Sequence, residues 1–133
     1  MPANIMKLTP VLIVDAIEPC LSFWTDRLGF EQTAAVPEGH RLGFVILAKG
    51  AIELMYQTTE SIAKDTPGAV EEIRGHSVGI FLEVDDIEDI VERLRGLTPV
   101  VPRRRTFYGT DEIGVREPGG HLILFAQPEA NSE

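Results

Sequence analysis

Three histidines, one cysteine and a few strand-borne carboxylates are the residues whose chemistry could extend beyond packing. His121 stands in VREPGGHLILFAQ, directly after the turn Pro118-Gly119-Gly120, where two strand-like runs meet. His76 precedes the apolar run SVGIFLEV, and His40 follows Pro37-Glu38-Gly39. Imidazole nitrogens at such corners can ligate a metal. Glu53 in AIELMYQ and Glu83 in GIFLEV could serve as general acid and base. Read as ordinary residues, the same two carboxylates are solvated or paired with Arg116. Cys20 is the single cysteine, so no internal disulfide forms. It falls on an apolar helical pattern with no base identified beside it, which reads as a buried, inert thiol.

Two copies of one supersecondary unit position these groups. VDAIE at Val14–Glu18 recurs as VDDIE at Val84–Glu88, and GAIELMYQ at Gly50–Gln57 recurs as GHLILFAQ at Gly120–Gln127, both offset by about 70 residues. Each unit opens with a β-rich run, LTPVLIV or SVGIFLEV. Each run leads into D-x-x-E, Asp15 with Glu18 and Asp85 with Glu88, a spacing expected of a helix-starting capping box. Ile17, Cys20, Leu21, Trp24 and Leu28 share one helical face, with Trp24 packing helix on sheet. Ile87, Ile90, Val91, Leu94 and Leu97 share the other. Helices are expected near 16–28 and 86–96, ending at Gly29 and Gly96, where glycine tolerates the left-handed conformation. Three strand candidates then follow in each unit: FEQTAAV, RLGFVILA and AIELMYQ, then TPVVPRR, DEIGVRE and HLILFAQ. The units span 5–57 and 75–128, joined by a linker at 58–74. The tail PEANSE is expected to be loose.

Composition narrows the function. The 133 residues suit one domain, and 44% hydrophobic content suits a real core. A net charge of −9 argues against a nucleic-acid partner, which would need basic residues to offset phosphates. PRRR at Pro102–Arg105 is the one basic cluster; it reads as an edge strand protected by charge, with an anion contact as the alternative. No apolar run is long enough to span a membrane. MPANIMKLTP lacks a signal peptide's apolar core, so the reading is a cytoplasmic protein.

The repeat, with FWTDRLGF closing the first helix and EPGGHLILF carrying the second turn and strand, resembles the vicinal oxygen chelate superfamily. That superfamily includes glyoxalase I, extradiol dioxygenases, and fosfomycin- and bleomycin-resistance proteins. The resemblance covers roughly residues 5–128 and implies an α+β fold in which two βαβββ modules curl a mixed sheet around a cleft. It also implies metal ligands at four inward strand positions in the metal-dependent members. Here those positions hold Thr9, Glu53, Gly79 and Leu124, one hard ligand of four. The repeat offset sets Glu53 against Ile123 instead of Leu124, a difference of one residue that would exchange the two faces. His76 and His121 lie three residues from Gly79 and Leu124, an odd spacing that turns them to the opposite face. They read as rim or surface histidines.

The inward set expected from strand parity is Thr9, Val11, Ile13, Glu53, Met55, Gln57, Ser77, Gly79, Phe81, Glu83, Arg116, Leu122 and Leu124. Of these, Thr9, Val11, Glu53, Met55, Gly79, Phe81, Glu83, Arg116 and Leu124, together with Tyr108, are expected to bind a ligand. It is mostly apolar with a few polar groups, as small-molecule pockets are. Gly79 leaves room, and Phe81 and Met55 would pack on an aromatic ligand or simply fill the core. Tyr108 would either offer its hydroxyl at the cleft mouth or anchor its loop. The expected function is metal-independent, cofactor-free binding of a small organic molecule by a homodimer, as in the bleomycin-resistance branch. The alternative is a divalent-metal-dependent lyase, isomerase or dioxygenase; whether the protein is an enzyme stays open between them.

Overall fold

The computed structural model describes residues 2–129; the last four residues of PEANSE lie outside it. Strands β1 (Val11–Val14), β2 (Glu31–Glu38), β3 (Arg41–Lys49) and β4 (Ile52–Thr58) form one sheet in the order β1-β4-β3-β2. Strands β5 (Gly79–Glu83), β6 (Val101–Arg105), β7 (Thr110–Arg116) and β8 (Leu122–Pro128) form a second in the order β5-β8-β7-β6. In both, the first strand runs parallel to the last, which pairs antiparallel with the third. The α+β architecture of two βαβββ modules is as expected.

Helix α1 (Glu18–Ser22) continues as a wider π-helical turn over Phe23–Arg27. The connection between modules holds α2 (Thr59–Asp65), a short 3₁₀ turn at Pro67–Ala69 and α3 (Val70–Ile73). Helix α4 (Ile87–Arg93) belongs to the second module. Gly29 and Gly96 adopt φ of 77° and 93°, the left-handed values that favour glycine at helix ends.

The capping boxes do not form. Asp15 accepts a hydrogen bond from Thr59 Oγ1 at 3.2 Å, and Glu18 Oε2 accepts from the Leu42 backbone N–H at 2.6 Å. In the second module the cap is Asp86, whose carboxylate accepts from Asp89 N–H. The chain enters each helix one or two residues later than the acid pattern implies, so Asp15 and Glu18 tie neighbouring elements together instead.

One face of each sheet packs on the helices. Leu12, Val14, Val45, Leu47, Leu54 and Tyr56 from the first sheet, and Ile113, Val115, Ile123 and Phe125 from the second, meet Ile17, Cys20, Phe23, Trp24, Ile87 and Leu94 in a single core. Trp24 is fully buried and stacks edge-on with Phe23 and Phe30. The alternate residues of β1, β3, β4, β5, β7 and β8 form the open face, away from the helices; β2 and β6 carry register shifts that interrupt the alternation. β6 is the edge of its sheet, and Arg103, Arg104 and Arg105 pair there with Asp111, Glu112 and Glu129.

Candidate functional site

The open face of the first sheet is built in rows. Val11 lies beside Met55 and Ile46; Ile13 lies beside Gln57 and Phe44. On the second sheet, Gly79 lies beside Leu122 and Arg116, and Phe81 beside Leu124 and Gly114. A Cβ at Gly114 would come within 2.9 Å of Leu124 Cδ1, so glycine is what lets Leu124 lie flat across β7. The inward parity expected for Val11, Met55, Gly79, Phe81 and Leu124 is the parity found. Phe81 is 54% exposed and Val11 41%, so these faces are open to solvent within one chain. The two sheets share no strand pairing, and each keeps its own open face.

The polar members of the expected set are engaged differently. Glu53 pairs with Lys7 Nζ at 2.6 Å, not with Arg116. The Arg116 guanidinium donates to the Gly120 carbonyl of its own turn. Arg116 stands in the Gly79 row, while Glu83 is four residues further along β5, about 13 Å at strand rise, so the two cannot meet. Tyr108 is an anchor: its hydroxyl donates to Glu112 Oε2 at 2.8 Å and is not free at a cleft mouth. Its ring meets the fully exposed Phe107 edge-on.

Glu112 had no place in the sequence reading. It is buried on the open-face side of β7, where Thr110, Tyr108 and Arg104 all donate to it. Burial pushes its carboxyl upward, but those hydrogen bonds outweigh it and hold it below the usual carboxylate range.

The register question resolves to a third answer. Val11 sits opposite Met55 and Phe81 opposite Leu124, so the modules match with an offset of 70 on the first strand and 69 on the last. The counterpart of Glu53 is therefore Leu122, on the same face as Leu124. Thr9 precedes β1. Among the described residues no group of three or more His, Cys, Asp or Glu could hold a metal ion. Thr9, Glu53, Gly79 and either leucine supply one carboxylate, already held by Lys7, and do not fit a divalent ion, which needs several N, O or S ligands.

His121 overturns its reading as a rim or solvent-satisfied residue. It is 3% exposed. Its Nδ1 accepts from Val78 N–H at 3.0 Å, so Nε2 carries the proton and reaches the Ile13 carbonyl at 3.1 Å. Both nitrogens thus bind backbone, one from each module. His40 and His76 are exposed.

Beside His121 lies a buried polar chain that also joins the modules. Trp24 Nε1–H donates to Tyr56 Oη at 2.8 Å, Tyr56 donates to Glu117 Oε2, and the His121 backbone N–H donates to Glu117 Oε1 at 2.6 Å. Burial and the neighbouring Glu117 charge push the Tyr56 hydroxyl upward and keep it a donor. The same two causes push the Cys20 thiol up to about 12, so it is buried and protonated, as expected. A cavity of about 430 Å³ also opens on the first sheet's open face, between Phe44, Gln57, Ser61 and Lys64; of the residues expected to face inward, Gln57 alone lines it.

The glyoxalase/bleomycin resistance protein/dioxygenase superfamily model matches residues 7–125. The chain belongs to that superfamily. Similar solved structures agree on the fold. A glyoxalase/bleomycin resistance protein/dioxygenase from Nocardioides is 18% identical, with a TM-score of 0.72 over 98% of this chain and 88% of that one. A lactoylglutathione lyase from Agrobacterium tumefaciens is 17% identical, with a TM-score of 0.72 over 95% and 94%. The bleomycin-binding protein of Streptomyces verticillus, solved with copper(II)-bleomycin, is 24% identical, with a TM-score of 0.65 over 96% and 100%. No curated protein matches the chain. Proteins of this fold thus include both a bleomycin-binding protein and a lactoylglutathione lyase. No helix among the described residues is long and apolar enough to cross a membrane.

Proposed function

We propose that this member binds a small organic molecule on its apolar open faces, without a metal, as a cytoplasmic homodimer of the bleomycin-resistance type. The observation that carries the reading is the chemistry of the open faces. Val11, Met55, Phe81 and Leu124 make them apolar, and the one carboxylate at a ligand position, Glu53, is held by Lys7. Such a surface removes apolar ligand area from water and offers few groups to stabilise a developing charge. Dimerisation is supported by two unjoined open faces and by exposed apolar residues outside them: Ile5, Met6 and Leu8 are each more than 80% exposed.

The test is a thermal-shift screen of small organic molecules with and without chelator. Binders should stabilise the protein equally in both conditions through mass action. Gly79→Trp starts from open space, since nothing lies within 4 Å of a Cβ there. It should weaken any open-face binder at least tenfold, about 1.4 kcal/mol. Light scattering should give twice 14.7 kDa. A stoichiometric metal in wild type that is lost in Glu53→Gln would replace this reading with the metal-dependent enzyme.

A further inference from the structure

The two modules meet along two seams, and the same contact is made twice with the modules exchanged. In the first seam, the β7–β8 turn packs on β1 and α1: a Cβ on Gly119 would strike Val14 Cγ1 at 2.5 Å and Cys20 Sγ at 3.1 Å. In the second seam, the β3–β4 turn faces β5 and α4, where Lys49 and Ile52 share one cavity with Val84 and Ile90. Val84 and Ile90 are the counterparts of Val14 and Cys20 at the offset of 70.

The seams are filled differently. Ala48 pairs with Glu53 and Arg116 with Leu122, so four residues make the first turn and five the second. Lys49 therefore stands where the second module has Glu117, and Ile52 stands where it has His121. On the last strands, Phe125 stands where the first module has Tyr56. The first seam is closed by the chain Trp24–Tyr56–Glu117 and by His121. In the second seam no polar chain forms: Phe125 has no hydroxyl, and Lys49 Nζ turns back to the Leu28 carbonyl at 2.7 Å. What is left is a cavity of about 300 Å³ walled by Leu28, Phe30, Ile52, Leu82, Ile90 and Phe125.

The rim is acidic. Asp86 caps α4 and Asp89 pairs with Arg93, so both are committed. Asp85 also lines the opening, and its carboxylate has no hydrogen-bond or ion-pair partner among the described residues; Glu83 alternates with Leu82 and carries its side chain on the open face with Phe81. Lys49, the one cation there, is occupied by the Leu28 carbonyl. An apolar floor removes hydrocarbon from water, while Asp85, unpaired, and Asp86, whose carboxylate accepts from a backbone N–H, favour a positive end group left near solvent. The volume lies at the small end of ligand pockets.

We propose that this second-seam cavity is a binding site for a small amphiphilic cation, an organic ammonium ion with a compact hydrocarbon body. The site lies on the helix side of the sheets and stands apart from the open-face function proposed above. The test is an NMR titration with 4-phenylbutylammonium, with 4-phenylbutanol and 4-phenylbutyrate as neutral and anionic controls. The ammonium should give saturable shifts at the amides of Leu28, Phe30, Leu82 and Ile90, with at least fivefold tighter binding than the alcohol. Asp85→Asn with Asp86→Asn, the latter keeping a capping side chain, should erase that advantage and keep the alcohol's binding. Ile52→Trp at the half-exposed mouth should weaken both at least tenfold. Gly79→Trp, which fills the open face, should leave the shifts at Leu28, Phe30, Leu82 and Ile90 as in wild type, which separates this site from the open face. The proposal falls if no saturation occurs by about 10 mM, if alcohol and ammonium bind equally, or if the shifts centre on Met55 and Leu124. It falls also if raising protein concentration alone reproduces the shifts, because the occupant is then a second copy of the chain.

Discussion

Tyr56→Phe removes one oxygen atom from the middle of the first seam and leaves the ring's packing in place. Two hydrogen bonds go with it. Trp24 Nε1–H, on a fully buried indole, loses its only acceptor. An unsatisfied buried donor costs about 1–3 kcal/mol. Glu117 loses the hydroxyl that donates to Oε2. A hydrogen bond to a charged group contributes about 1.5–3 kcal/mol. Even the lower ends together come to about 2.5 kcal/mol, so a loss of about 3 kcal/mol is expected. For a chain of this size that lowers the melting temperature by about 10 °C. Trp24 is the single tryptophan, so its fluorescence during urea unfolding reads the seam directly. Combining the change with Glu117→Gln should give a coupling of about 1–3 kcal/mol, because the two groups share one bond. A loss below about 1 kcal/mol, or additive effects, would refute a dry polar chain holding the modules together.

Other perturbations probe the same architecture. Gly119→Ala places a methyl 2.5 Å from Val14 Cγ1 and should destabilise by about 2 kcal/mol, while Gly79→Ala, with open space around it, should change stability little; urea midpoints compare them. Cys20, its thiol pushed up to about 12, should resist iodoacetamide at pH 8 in the folded protein and react at once in guanidinium, followed by mass spectrometry. Glu112 is held below the usual carboxylate range when folded, so its stabilisation is present above the unfolded value and fades as pH falls through the folded one. Glu112→Gln should therefore be less stable than wild type at pH 7, and the gap should narrow below about pH 4; a gap independent of pH would contradict the assignment.

Much of the fold was legible because it is periodic. Alternation along VLIV and LILFAQ sets which residues face the helices, and the repeat fixes the order of elements. The open faces were legible where that parity decides them, at Val11, Met55, Gly79, Phe81 and Leu124. Tyr108, Arg116 and His121 sit in turns or at strand ends, where alternation carries no information. The surroundings of His121 come from Ile13 and Val78, far away in sequence. Glu117, beside Pro-Gly-Gly, reads as a solvent-facing turn acid until Tyr56 of the other module reaches it. A signal was nonetheless present: once the modules are matched strand by strand, Trp24, Tyr56, Glu117 and His121 stand opposite Leu94, Phe125, Lys49 and Ile52. Seeing it required the offset of 69 on the last strand and the one-residue difference in turn length.

That unequal pair of seams bears on how the chain can diverge. In the first seam every polar group is answered by another, and Tyr56 and Glu117 by two, so a single change strands a partner and only paired changes preserve the fold. The second seam is closed by apolar contacts that tolerate exchange among side chains of similar volume. Random mutagenesis with selection for folded protein should leave Trp24, Tyr56, Glu117 and His121 nearly invariant while Ile52, Leu82 and Ile90 drift. A duplicated architecture thus keeps one joint rigid under mutation and leaves the other as the place where new recognition can arise.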